Sequence, residues 1–192
     1  MTKRSIGLLG FALSLWLAGS ALAEPAAGAP GLAAASKGPF REVAWEDLMP
    51  KGWDPYKGMR DNNAGRLVDG DPRTAQLMRD LRQVLDTAPT VSTLDGQAVK
   101  LPGYVVPLDE SKNGLKEFLL VPYFGACIHS PPPPANQIVH VIAAKPVKGF
   151  RAMDTVWVSG TLATTRQESS MGTSGYTLHA SVVDRYVPQA RP

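Results

Sequence analysis

The sequence predicts an α+β fold built on an antiparallel OB-like β-barrel, with one main helix and an N-terminal arm packed on its outside. Three observations carry this. Apolar residues recur at helical spacing in a single convincing stretch, Leu77, Met78, Leu81, Val84 and Leu85. From Thr90 onward short apolar runs alternate with turn signals, the pattern of a small closed sheet. One of those runs, Val156-Trp157-Val158-Ser159-Gly160-Thr161-Leu162, carries an internal glycine and resembles the kinked third or fourth strand of such a barrel.

Taken in order, residues 1–23 read as a secretory signal peptide: Lys3 and Arg4, an apolar run Ile6–Ala18, and Ala21-Leu22-Ala23 as a small-x-small cleavage site. The expected product is a soluble periplasmic chain starting at Glu24. No cysteine near that point offers lipid attachment. The apolar run falls short of the about 20 residues that a bilayer span requires, so no transmembrane segment is expected in the mature chain. Residues 24–39, rich in Ala, Gly and Pro, have too little apolar bulk to pack and are expected as a flexible leader. Residues 40–192 then form one domain of ordinary size. The formal charge of the whole chain is +3, and loss of Lys3 and Arg4 brings it close to neutral. That balance argues against nucleic acid, whose binding asks for a basic surface.

Within the domain, Phe40–Tyr56 holds Phe40, Val43, Trp45, Leu48 and Trp53, which require burial, and reads as an extended arm with a turn of helix at Trp45–Met49. Lys57–Pro72 is polar and glycine-bearing, a surface connection. The helix runs from Asp71 or Arg73 to Asp86, with Asp71 as cap, Pro72 at the first helical position, and Thr87-Ala88-Pro89 as its stop. Asp95-Gly96 reads as the tight turn of a hairpin between Thr90–Leu94 and Val99–Leu108. Glu110–Gly114 is a second turn, from which Phe118–Tyr123 pairs back. Strands follow at Gln137–Ala144 and Thr155–Ala163, then a polar loop Thr164–Ser174 and a last strand Tyr176–Tyr186.

The chemistry concentrates between Phe118 and Ala143. There an apolar run is bent by Pro122 and Gly125, delivers Cys127 and His129, and meets four consecutive prolines, Pro131–Pro134. Those prolines favour polyproline II, stiff without internal hydrogen bonds. The chain has a single cysteine; in an oxidising compartment it is buried and inert, paired between chains, or held as a ligand or nucleophile. Two apart on an extended segment, a thiolate and an imidazole point to one side and are first-choice ligands for zinc or copper. Further ligands must converge from elsewhere. His179 is the expected third, with His140 in reserve, because no other imidazoles remain among the three histidines. Asp109 and Glu110 are oxygen alternatives, and Met153 or Met171 would suit Cu(I).

An enzymatic reading is weaker, and no catalytic residue is assigned. No nucleophile elbow or oxyanion element accompanies Cys127, and His129 two residues on is poorly placed to take its proton. Asn136 and Gln137 could orient a histidine, but read equally as loop-capping amides. A redox role lacks a Cys-x-x-Cys pair. A third class is a non-catalytic adaptor, in which the Trp45–Tyr56 arm, the proline rod, Tyr123 and Phe124 dock a partner and Cys127 is structural.

The segments LPGYVVPLDE (101–110), FLLVPYFGACIHSPPPPANQIVHV (118–141) and the WVSGTL and YTLHA runs resemble the DUF3299 family of exported bacterial proteins, from about Val43 to Pro188. The element Cys-x-His-x-Pro-Pro-Pro-Pro-x-Asn-Gln carries most of that resemblance. It implies a setting beside ABC-type export or metal-handling systems of the cell envelope, and supplies no catalytic residue. The expectation is therefore a periplasmic transition-metal-binding protein, zinc before copper, accessory to envelope transport or metal homeostasis. The alternative is a metal-free adaptor of an ABC-type envelope transporter.

Overall fold

The computed structural model describes residues 40–61, 72–109, 113–126 and 132–187. Its strands are β1 (Arg41–Glu42), β2 (Ala98–Pro107), β3 (Leu115–Val121), β4 (Val139–Val147), β5 (Thr155–Ala163), β6 (Gln167–Ser169), β7 (Gly172–Ser174) and β8 (Tyr176–Arg185). Its helices are α1 (Lys57–Asp61) and α2 (Pro72–Asp86). Among the described residues five strands form a closed barrel in the order β2-β3-β4-β8-β5, with β5 pairing back onto β2.

The α+β barrel is as the sequence predicts, but it is mixed rather than antiparallel. β4 and β8 run parallel, from Val139 opposite Tyr176 to Ala143 opposite Ala180. An odd number of strands in a closed ring cannot alternate direction all the way round, so at least one neighbouring pair must be parallel. β1 also pairs parallel to β2, through Arg41 opposite Val99.

Alternation along the strands sends one set of side chains inward. Val99, Leu101, Phe118, Leu120, Val139, Val141, Val156, Val158, Tyr176 and Leu178 fill the barrel, and Val43, Trp45, Leu48 and Leu94 join them. Each such fully buried side chain contributes about 1.5–3 kcal/mol of transfer free energy. The arm is held by direction as well as by area: Trp45 Nε1–H donates to the Pro102 carbonyl at 2.7 Å. Residues Trp45–Leu48 form the expected turn, as a 3-10 helix.

Three expected elements differ. The expected connection Lys57–Pro72 opens with a helix, α1. Thr90–Leu94 is not a strand but leads into a 3-10 turn at Ser92–Leu94. At the start of β2 both edges are taken, by β5 along Ala98–Tyr104 and by β1 at Val99 and Lys100, so no edge remains there for a hairpin partner. Asp95-Gly96 still turns the chain, with Gly96 at φ +71°, and Asp95 Oδ1 instead accepts from the Thr164 N–H at 2.8 Å and its hydroxyl at 3.1 Å. The expected loop Thr164–Ser174 contains a two-stranded hairpin, β6 against β7.

In α2 the buried stripe is narrower than the sequence pattern: Leu81 and Leu85 are buried, while Met78 and Val84 are 38% and 41% exposed. Arg166 caps its C-terminal end, donating to the carbonyls of Asp86 and Ala88, where a cation complements the helix dipole. No helix among the described residues is long and apolar enough to cross a membrane.

Candidate functional site

β3 ends at Val121, Pro122 breaks the ladder, and Tyr123–Ala126 turns, with Gly125 at φ +76°. Ala126 is buried in a second apolar cluster, on the outer face of the barrel, with Val106, Leu119, Val121 and Ile138. Tyr104, Leu108, Met153 and Met171 pack around it. Met153 has φ +67°, an unusual backbone for a residue with a side chain, and its sulfur accepts from the Gly125 N–H at 3.4 Å.

Cys127 and His129 lie outside the described residues, as do Pro131 and Glu110. The chain is described again from Pro132. Pro134 has φ −63° and ψ 152°, the polyproline II basin expected for this run. Beyond it, Asn136 Nδ2 donates to the Pro89 carbonyl at 2.9 Å and Gln137 Nε2 to the Trp45 carbonyl at 2.8 Å. These amides tie the proline segment to the end of α2 and to the arm. They cap loops and, among the described residues, orient no histidine. Gly175 N–H donates to the Ala135 carbonyl at 2.6 Å, and a Cβ at Gly175 would meet that oxygen at 2.9 Å.

His140 follows two residues after Ile138. Because Val139 and Val141 point into the barrel, His140 faces outward, directly opposite Leu119 on β3 and beside Thr177 on β8. It is only 9% exposed. Its Nε2 lies 3.2 Å from Glu117 Oε2, and its Nδ1 is buried with no hydrogen-bond partner among the described residues. A buried polar atom left bare costs about 1–3 kcal/mol and calls for an explanation.

A family profile described as a protein of unknown function, DUF3299, matches residues 45–185, most of the chain. This chain belongs to the DUF3299 family. A crystal structure of a DUF3299 family protein (PA4066) from Pseudomonas aeruginosa PAO1 is 38% identical, with a TM-score of 0.62; the alignment covers 80% of this chain and all of that one. No curated protein matches the chain.

In this DUF3299 chain the remaining expected ligands are dispersed over different elements. His179 points outward from β8, opposite Ile142 of β4, one pleat further from the proline segment than Thr177 and His140. It is exposed. Asp109, at the end of the strand before the turn, has a buried Oδ1 with no partner among the described residues. Met153 and Met171 both border the outer cluster that holds Ala126. Among the described residues no three of His, Cys, Asp and Glu stand close enough to hold a metal. The residue that sequence reasoning missed is Glu117. Nothing in LKEFLLV marks it, because its partner is set by the β3–β4 register, which resumes at Glu117 opposite Ile142 after a break at Leu115.

Proposed function

We propose that this chain is an exported, periplasmic transition-metal-binding protein, taking zinc before copper, and that it serves an envelope transport or metal-homeostasis system. Cys127, His129 and His140 are the ligands, with His179 the outlying imidazole. The observation that carries the reading is the buried Nδ1 of His140, bare of any partner among the described residues. His140 stands opposite Leu119, which packs in the same outer cluster as Ala126, the residue immediately before Cys127. The tethered Asn136 and Gln137 fix the far side of the segment that bears the thiol and His129, which lowers the ordering cost of gripping an ion. Thiolate and imidazole favour zinc, and Met153 and Met171 at the border offer thioethers to Cu(I). Export rests on residues 1–23, and the transport setting rests on the family resemblance.

The adaptor reading has one observation of its own. Tyr123 and Phe124 are 49% and 66% exposed on the turn that leads into the cysteine segment, an aromatic surface suited to a protein partner. Metal content separates the two. Near-stoichiometric zinc or copper in the purified untagged chain, lost in Cys127→Ser, supports the metal reading. Absence of metal after loading with either ion supports the adaptor.

A further inference from the structure

We propose that the open seam between β4 and β8 is a docking groove for a short extended segment of a partner protein, one that carries an aliphatic side chain beside a carboxylate. This stands independently of the metal-binding reading. β4 and β8 pair in parallel only as far as Ala143 opposite Ala180, yet β4 runs on to Val147 and β8 to Arg185. Two irregularities turn them apart. Against β3, the pairing of β4 jumps from Ile142 opposite Glu117 to Val147 opposite Leu115. Against β5, the pairing of β8 jumps from Ala180 opposite Gly160 to Val182 opposite Ser159. Extra residues of this kind bend a strand and interrupt its ladder. The result is a cleft of about 270 Å³ lined by residues 143–147 of β4 and 180–183 of β8.

The two walls of the cleft differ. The β4 wall carries Lys145 and Pro146, residues that discourage strand addition, and Pro146 has no N–H to offer. The β8 wall carries Ser181, Val182 and Val183, with neither lysine nor proline, and beyond Ala180 its strand neighbour among the described residues is β5, on the other edge. An extended peptide adds to such an edge through its main chain, while pockets between the strands choose its side chains. At about 3.3 Å per residue, residues 181–183 accommodate a segment of three or four residues. The floor selects an aliphatic group. Ala143 and Ala180 are buried but small, and Val147 and Val183 pack against the barrel core, so a side chain entering between them meets that core. The rim selects a carboxylate. Lys145 is the one ionisable residue of the lining and is exposed, and Lys116 Nζ reaches the same wall, donating to the Ala144 carbonyl at 3.5 Å. Complementary charge of this kind sets partner choice more than affinity.

The test uses the full chain, nitrogen-15 labelled, as wild type, Lys145→Glu and Ala144→Trp. Two end-blocked hexapeptides are titrated at low salt, one alternating valine with glutamate and one alternating valine with lysine. The expected result is saturable binding of the glutamate peptide to the wild type, with amide shifts confined to residues 143–147 and 180–183 and slowed hydrogen exchange at residues 181–183. Lys145→Glu reverses the preference between the peptides, by about three- to fivefold. Ala144→Trp, a change at an exposed position, fills the groove and abolishes binding while the unfolding midpoint stays unchanged. No amide shifts at the seam with millimolar peptide, the same preference in wild type and Lys145→Glu, or full binding by Ala144→Trp overturns the proposal. Sedimentation that shows self-association of the wild type, lost in Ala144→Trp, gives the groove to a second copy of the chain and overturns the assignment to a partner.

Discussion

Tyr176 and Leu48 are 128 residues apart in the chain, and the phenol of the first donates to the carbonyl of the second at 2.8 Å. The same phenol oxygen accepts from the Val91 N–H at 2.6 Å. One buried side chain of β8 therefore joins the N-terminal arm and the segment after α2 to the barrel. Tyr176→Phe keeps the ring and strands both backbone groups. A loss of about 2–4 kcal/mol is expected in urea unfolding.

Tyr176 also sets an alkaline limit. Burial pushes its phenol above the ordinary 10.0, with the Val91 N–H pulling the other way. A folded value above the unfolded one means that the contribution is complete below the unfolded value and is lost as pH rises through the folded value. Unfolding midpoints measured at increasing alkaline pH should fall more steeply for wild type than for Tyr176→Phe.

Gly160 has no room for a side chain. A Cβ there would run into the His179 carbonyl oxygen and lie 2.8 Å from Ala180 Cα, where the β5–β8 ladder shifts register. Gly160→Ala is expected to cost about 3 kcal/mol, since a packed backbone has no soft direction in which to yield. Thermal unfolding reads it directly.

Asn136 is fully buried and tethers the proline segment to Pro89. Asn136→Ala removes a good donor and also an oxygen unpartnered among the described residues, two effects that partly offset. A stability loss of about 1 kcal/mol is expected, with a larger proportional loss in zinc affinity because the ligand segment is no longer held. Parallel unfolding and zinc titrations check both.

The strands of the barrel are legible in the sequence because alternation and turns are local. Thr155–Ala163 is predicted to the residue, and Gly160 is readable as a kink because a glycine inside an apolar strand marks close backbone approach. What is not legible is pairing. The parallel match of β4 with β8 and the use of both β2 edges are long-range facts, and the second makes Asp95-Gly96 a link to Thr164 instead of a hairpin tip. The same limit governs the site. Cys127, His129 and His140 are visible as residue types, and the outward turn of His140 follows from its valine neighbours. Glu117 becomes visible only once register lays it diagonally across from the imidazole.

Zinc titration of the wild type beside His140→Ala and His179→Ala tests the central claim most directly. The account predicts one ion bound by the wild type, an affinity loss of at least about tenfold in His140→Ala, and a change within about threefold in His179→Ala. A wild type that binds no ion, or a His140→Ala chain that binds as the wild type does, contradicts it.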